Sequence, residues 1–235
     1  MTTSPFYTRI LPWIWAHRLR LILLFVCVLI PLWIFGMLAE DVLDREQFGF
    51  DAPILLFLHN QATPLFDQIM LFFSLIGFRL GVVPVDIAVF LFFIQRRRWG
   101  DALFWAIAVG GAALLNLGAK HSFGRIRPDL WLSIAPETTF SFPSGHAMGS
   151  MALAAAVLVL AWPTRWRWLV LILGSFFVLM VGLSRVYLGV HYPSDILAGW
   201  AASLAWVIGV SQVLYGRMTK PTPQSEPMQA EQVGA

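Results

Sequence analysis

The sequence predicts an all-α fold, a polytopic membrane helical bundle with six transmembrane helices. Two observations lead there. Of the 235 residues 58% are hydrophobic and only 12% charged, with a mean hydropathy of +0.72. The apolar residues also gather into repeated runs close to the roughly 20 residues that a helix needs to cross a bilayer. A soluble chain of this length can bury a core, but it does not leave several such windows nearly free of charge.

In chain order, the first span is predicted over residues 19–39. Residues 1–20 mix aromatics and prolines with Arg9, Arg18 and Arg20. The apolar stretch behind them exceeds a signal-peptide core and lacks a small-residue cleavage site, so it is read as a retained helix. Cys27 lies inside it as the single cysteine, which excludes an internal disulfide and suggests no thiol-metal cluster. Residues 50–77 are apolar but broken by Pro53, His59, Asn60, Pro64 and Asp67. They suit an outer amphipathic or re-entrant element better than a full span. The alternative is one tilted crossing over 66–94, kinked around Gly77, Gly81 and Pro84. The remaining spans are predicted over 80–94, 102–119, 146–162, 168–187 and 196–215, making a membrane domain over 1–216. Residues 217–235 are polar and proline-bearing, with too little apolar surface to offset ordering, and read as a disordered cytoplasmic tail. No internal repeat is evident.

Small residues crowd three spans: "AVGGAALLNLGA", "GHAMGSMALAAA" and "LAGWAASLAW". In lipid such residues let helices approach closely, so these spans are expected to pack together and to bring their ends together. Even span number puts both termini on one side. With that side cytoplasmic, Arg9, Arg18, Arg20, Arg96, Arg97, Arg98, Arg165, Arg167, Arg217 and Lys220 lie inside, ten of the sixteen Lys and Arg, as the positive-inside rule requires. Lys120, Arg125, Arg127 and Arg185 fall at the outer ends of spans three and five, against that bias. Arg45 sits among Glu40, Asp41, Asp44 and Glu46, and Arg79 at a span boundary.

Three polar patches share those outer ends: "KHSFGRIRP", "PSGH" and "SRVYLGVHYPSD". Lys120 supplies permanent positive charge, and Arg127 and Arg185 offer planar donor forks that match phosphate oxygens. Ser144, Gly145 and His146 stand where a helix is expected to begin, so amides and a hydroxyl can face an anion. Asp195, four residues after His191, can accept a proton from one ring nitrogen and leave the other free to attack phosphorus. His146 can protonate the leaving alkoxide and then activate water, while the cations stabilise the transferring group. The bland reading, arginines snorkelling and histidines satisfying loop carbonyls, suits any one residue but not the whole set on the cation-poor side. A metal site of His146, His191 and Asp195 is disfavoured by the surrounding positive charge.

These patches resemble the signature of the type 2 phosphatidic acid phosphatase superfamily, relatives of the vanadium haloperoxidases. The pattern is Lys-x(6)-Arg-Pro, then Pro-Ser-Gly-His, then Ser-Arg-x(5)-His-x(3)-Asp, matched without a gap between Lys120 and Asp195. "TPLFDQIMLFFSLIG" resembles the segment before the family's second span. The resemblance implies a metal-independent phosphatase with no cofactor. It makes His191 the nucleophile, Asp195 its orienting group and His146 the acid and base. Lys120, Arg127, Ser144, Gly145 and Arg185 would hold the phosphate. His121 and Arg125 lie outside the matched positions and are expected to contact headgroups or the loop. Asp86, an acid in or near span two, is either functional, paired with Arg79, or interfacial.

The expected activity is removal of phosphate from a membrane lipid phosphate or diphosphate at the outer face of a cell inner membrane. Undecaprenyl diphosphate, phosphatidylglycerol phosphate and phosphatidic acid are the candidates, with the first favoured by an outer-face site. No nucleic acid and no obligate protein partner is implied. Two other readings stand beside it. One is a transporter or anionic-lipid binding protein using the same cations, against which the His191 to Asp195 pairing argues. The other is a phosphotransferase with a lipid acceptor.

Overall fold

The computed structural model describes Arg18, Leu21, Ile22 and residues 24–215. The expectations for the rest of residues 1–20 and for the tail at 217–235 lie outside the described residues. Among these, the chain forms eight helices and no strand: α1 (Phe25–Leu43), α2 (Asp51–His59), α3 (Pro64–Ile76), α4 (Val82–Gln95), α5 (Trp99–Phe123), α6 (Gly145–Ala161), α7 (Arg167–Tyr187) and α8 (Pro193–Leu214).

Local chemistry sets several of these boundaries. Proline stands at the first position of α3 and α8, where a missing N–H costs nothing. Thr63 Oγ1 accepts the Phe66 N–H at 3.3 Å to cap α3, and Ser144 Oγ accepts the Ala147 N–H at 3.4 Å to cap α6. Helix α5 stops at Gly124, whose φ of +59 is left-handed and whose N–H returns to the Lys120 carbonyl at 3.1 Å.

Four helices, α1, α5, α7 and α8, are long and apolar enough to cross a membrane. The second and fourth predicted spans are shorter. They correspond to α4, with 14 residues, and α6, with 17. At 1.5 Å per residue these reach about 21 and 25 Å, against a hydrocarbon core of about 30 Å. Residues 50–77 do not form one element. Helix α2 lies apart from α3, and α3 and α4 follow one another as two half-length helices.

The break falls at Gly77 and Gly81 and not at Pro84, which sits inside α4. A side chain on Gly77 would meet Val181 of α7 at 2.6 Å, and one on Gly81 would strike the Ile76 backbone, so glycine alone fits both positions. Helix α3 runs along the C-terminal half of α7, pairing Asp67 with the Tyr187 hydroxyl at 2.7 Å and Phe73 edge-on with Phe176. Helix α4 packs instead on α5 and α6, placing Val82 beside Gly149 and Phe93 against Trp105.

The three small-residue helices do pack together, and α7 joins them. Helix α6 lies between α7 and α8, α5 touches both α6 and α8, and α1 covers α8. Ala108, Ala112, Ala152, Ala155, Ala156 and Val207 close around the buried Phe104 and Trp105. Where α6 and α8 begin, a side chain on Gly199 of α8 would lie 3.0 Å from the Ser144 carbonyl and 3.1 Å from Ala147 Cβ of α6. Lipid tails are as apolar as the side chains, so the bundle gains from close packing and not from leaving water. The consequence is a single end of the bundle holding the end of α5, the start of α6, the end of α7 and the start of α8. Arg96, Arg97, Arg98, Arg165 and Arg167 sit at the opposite end.

Gly199→Val should separate α6 from α8 at the end that carries Ser144 and Asp195. We expect a loss of about 1–3 kcal/mol, read as a lowered thermal midpoint in detergent; an unchanged midpoint would show that the contact is not tight.

Candidate active site

The site is built around the first turn of α8. Tyr192 is extended, Pro193 opens the helix, and Asp195 falls at its third position with no exposed surface. Its Oδ2 accepts the Tyr192 N–H at 2.9 Å and faces His191 Nδ1 at 3.3 Å. His191, itself 1% exposed, is carried by the short link between α7 and α8. That link turns at Gly189, where φ is +69 and Trp131 lies so close that a side chain would meet it at 2.6 Å.

The other ring nitrogen settles the tautomer. Arg127 Nη1 approaches His191 Nε2 at 3.1 Å, and a guanidinium can only donate. Nε2 is therefore the acceptor, and Nδ1 carries the proton toward Asp195. Burial holds His191 well below its ordinary pKa, reinforced by the charges of Arg127, Arg185 and Lys120. The imidazole is neutral, with the Nε2 lone pair turned toward the cations and accepting from Arg127.

Those cations line one wall. Lys120, in the last turn of α5, donates to Thr139 Oγ1 at 3.1 Å and to the Phe140 carbonyl at 2.5 Å. Arg127 is braced by the carbonyls of Thr139 and Val190, both at 2.6 Å. Arg185, in the last turn of α7, is almost fully buried. It donates to Ser74 Oγ of α3 and to Glu137 Oε1 at 2.6 Å, while its Nε has no partner. Glu137 keeps 31% of its side chain exposed and brings a carboxylate among the three cations.

Ser144, Gly145 and His146 approach from α6. The buried Ser144 donates its N–H to the Asp195 carbonyl at 3.1 Å, tying α6 to α8. Gly145 passes so near Asn116 that a side chain would lie 3.0 Å from its Oδ1, and Asn116 in turn donates to the Pro143 carbonyl at 3.0 Å. His146 stacks obliquely on Phe78, from the break between α3 and α4, at 5.2 Å. It lies within electrostatic reach of Arg185, His191, Arg127 and Lys120. All eight residues singled out from sequence therefore meet at one end of the bundle.

Arg125 corrects the sequence reading. Far from facing headgroups, it donates to Asp195 Oδ1 at 2.5 Å and to Asp51 Oδ2 at 2.9 Å. It also lies over the Tyr192 ring at 4.2 Å. His121, expected to contact headgroups or the loop, is exposed, with its Nδ1 2.8 Å from the Leu117 carbonyl of its own helix. Asp86 makes no pair with Arg79. Its Oδ1 is enclosed without a hydrogen-bond partner, and its backbone carbonyl accepts from Trp105 Nε1 at 3.0 Å. Asp51, Ser74 and Glu137 were not legible as site residues, since nothing in their local sequence marks them.

A neutral imidazole backed by a buried carboxylate, opposite three cations and a second histidine, has the chemical means to attack phosphorus. The model of the PAP2 superfamily matches residues 101–219, just over half of the chain. An undecaprenyl-diphosphatase from Sulfolobus acidocaldarius is 30% identical over 167 residues, 69% of this chain and 77% of that protein. Phosphatidylglycerophosphatase B of Bacillus subtilis is 34% identical over 117 residues, 48% of this chain and 57% of that one. The crystal structure of a transmembrane PAP2-type phosphatidylglycerolphosphate phosphatase from Bacillus subtilis superposes with a TM-score of 0.69. It has 25% identity, covering 81% of this chain and 98% of the other. The chain belongs to the PAP2 superfamily and is a membrane phosphatase.

Burial and the neighbouring cations hold the His191 pKa well below its ordinary value, so with His191 as the attacking group, lowering the pH should cost activity only where that imidazole protonates and loses its lone pair. The acid limb of kcat/KM against pH should therefore lie below the free-imidazole value of about 6.5. A limb at or above that value would contradict the assigned environment.

Proposed function

We propose that the protein is a lipid phosphate or diphosphate phosphatase that works through a phosphohistidine intermediate without metal. The observation that carries this is the pairing of His191, with Nδ1–H directed to the buried Asp195 and Nε2 to Arg127. Nε2 attacks phosphorus, the bond from phosphorus to the leaving oxygen breaks, and His146 donates a proton to that oxygen. Water then gives its proton to His146 and attacks phosphorus, the P–N bond breaks, and free phosphate leaves with His191 restored.

Lys120, Arg127 and Arg185 are assigned to the phosphoryl oxygens, with Ser144 and Gly145 at the N-terminus of α6. The incoming phosphate supplies the negative charge that lets His146 hold its proton among these cations. It must also displace Glu137 from Arg185.

The substrate class follows from the setting. The cationic end of the bundle adjoins α3 and the turn that follows it, which present Leu65, Phe72, Phe78 and Leu80 outward, so a headgroup can enter the pocket while its chain stays in lipid. Of undecaprenyl diphosphate, phosphatidylglycerol phosphate and phosphatidic acid, the first is favoured. The named relatives are an undecaprenyl-diphosphatase and a phosphatidylglycerophosphatase, and a site on the outer face suits recycling of a lipid carrier. That placement, in a cell inner membrane with both termini cytoplasmic and six crossings, is supported by the arginines at the end opposite the site.

Purified protein should release inorganic phosphate from such lipids in EDTA, and His191→Ala should abolish release together with any acid-quenched phosphoenzyme. Full turnover by that variant would sink the mechanism. A reporter fused at Ala235 should be active only in the cytoplasm; a reporter active outside would turn the site inward.

A further inference from the structure

We propose that Arg125, anchored by Asp51 of α2, is a positioning residue that fixes the Asp195 carboxylate behind His191. The inference rests on the reading of His191 as nucleophile and deepens it. Arg125 stands outside the residues that face the phosphate wall, and Asp51 lies 144 positions before Asp195 in the sequence.

The geometry divides the work between the two oxygens of Asp195. Oδ2 serves His191 Nδ1 and the Tyr192 N–H, whereas Oδ1 takes the Arg125 Nη1 at 2.5 Å. A carboxylate without exposed surface needs a partner for its charge, and among the described residues no other guanidinium or ammonium is bonded to it. Arg125 is itself held. Its Nη2 donates to Asp51 Oδ2 at 2.9 Å and its Nη1 also to Ser194 Oγ at 2.8 Å. Asp51 accepts in addition from the Ser194 N–H at 2.9 Å and the Ser194 hydroxyl at 2.6 Å. The short helix α2 is thereby bolted to the first turn of α8, and the chain of bonds runs from Asp51 through Arg125 and Asp195 to Nδ1 of His191.

The fork is what this position requires. Two donors in one plane reach two carboxylates on different elements, which a lysine ammonium cannot reproduce. Without Arg125 the Asp195 carboxylate is free to turn or to take up a proton, and either change removes the acceptor that selects the Nδ1–H tautomer. Attack then suffers while binding of the lipid phosphate does not, since Arg125 reaches none of the groups placed around phosphate.

The test is a kinetic split and a double-mutant cycle on the full-length protein in detergent, with a short-chain lipid phosphate and phosphate release as the readout. Arg125→Ala should lower kcat about 100-fold with KM within about threefold, Arg125→Lys about 10-fold, and Asp51→Asn about 10-fold. In an Asp195→Asn background the Arg125 substitution should cost less than about threefold more, because its target is already gone. Where Arg125→Ala does not yield folded protein, Arg125→Lys completes the same cycle. Effects that multiply in the double variant, or a raised KM with kcat preserved, would overturn the proposal. His191→Ala run alongside separates the two levels. Turnover by that variant overturns the nucleophile and this inference with it. Its inactivity beside normal Arg125 variants overturns the role of Arg125 alone.

Discussion

A carboxylate with no exposed surface, seated in the first turn of a membrane helix, is the constraint around which the polar end of this protein is organised. Moving an isolated ionised carboxylate out of water costs many kcal/mol, so Asp195 must be surrounded by donors. The Tyr192 N–H, His191 Nδ1 and Arg125 Nη1 supply them from three directions. The N-terminal end of α8 adds its favourable dipole. Once those donors are placed, the positions of the α7–α8 link and of the loop after α5 are largely decided.

The small residues deeper in the bundle matter for the same reason. Charged groups from α5, α6, α7 and α8 can share one pocket only if the helix axes come close, and Gly182, Gly199 and the alanines of α6 leave the room for it. Gly182 accommodates the Trp200 ring, and Gly199 admits the Ser144 carbonyl. The polar end therefore depends on steric features buried below it, and the packing is shaped by what the end must hold. The broken pair α3 and α4 adds Ser74 against Arg185 and Phe78 against His146, groups that an unbroken helix in the same place would present differently.

Much of the candidate site was legible because its chemistry is unusual for where it sits. Lys120, Arg127 and Arg185 run against the charge bias of a membrane protein, and His191 and Asp195 have the spacing of a hydrogen-bonded pair. Ser144 begins a helix by an ordinary capping rule. Arg125 was read as a cation set against the charge bias, but its direction was not legible. A loop arginine two residues from Arg127 can face water, a headgroup or a buried acid, and only the position of Asp51 decides among them. Glu137 and Ser74 carried no signal, since their meaning comes wholly from their nearness to Arg185.

The sequence by itself determined the class of environment, the helical architecture, the order of the motifs and the type of chemistry. Hydropathy, backbone satisfaction in lipid and side-chain acid–base character act residue by residue or over one helix length. The tertiary structure decided what depends on distance between elements: that α3 and α4 are two half-length helices broken at Gly77 and Gly81, that α7 joins the small-residue core, and that Arg125 turns inward to Asp51 and Asp195. It also decided which nitrogen of His191 carries the proton. These are matters of which groups are left to pair once the helices have closed, and a linear pattern holds no measure of that.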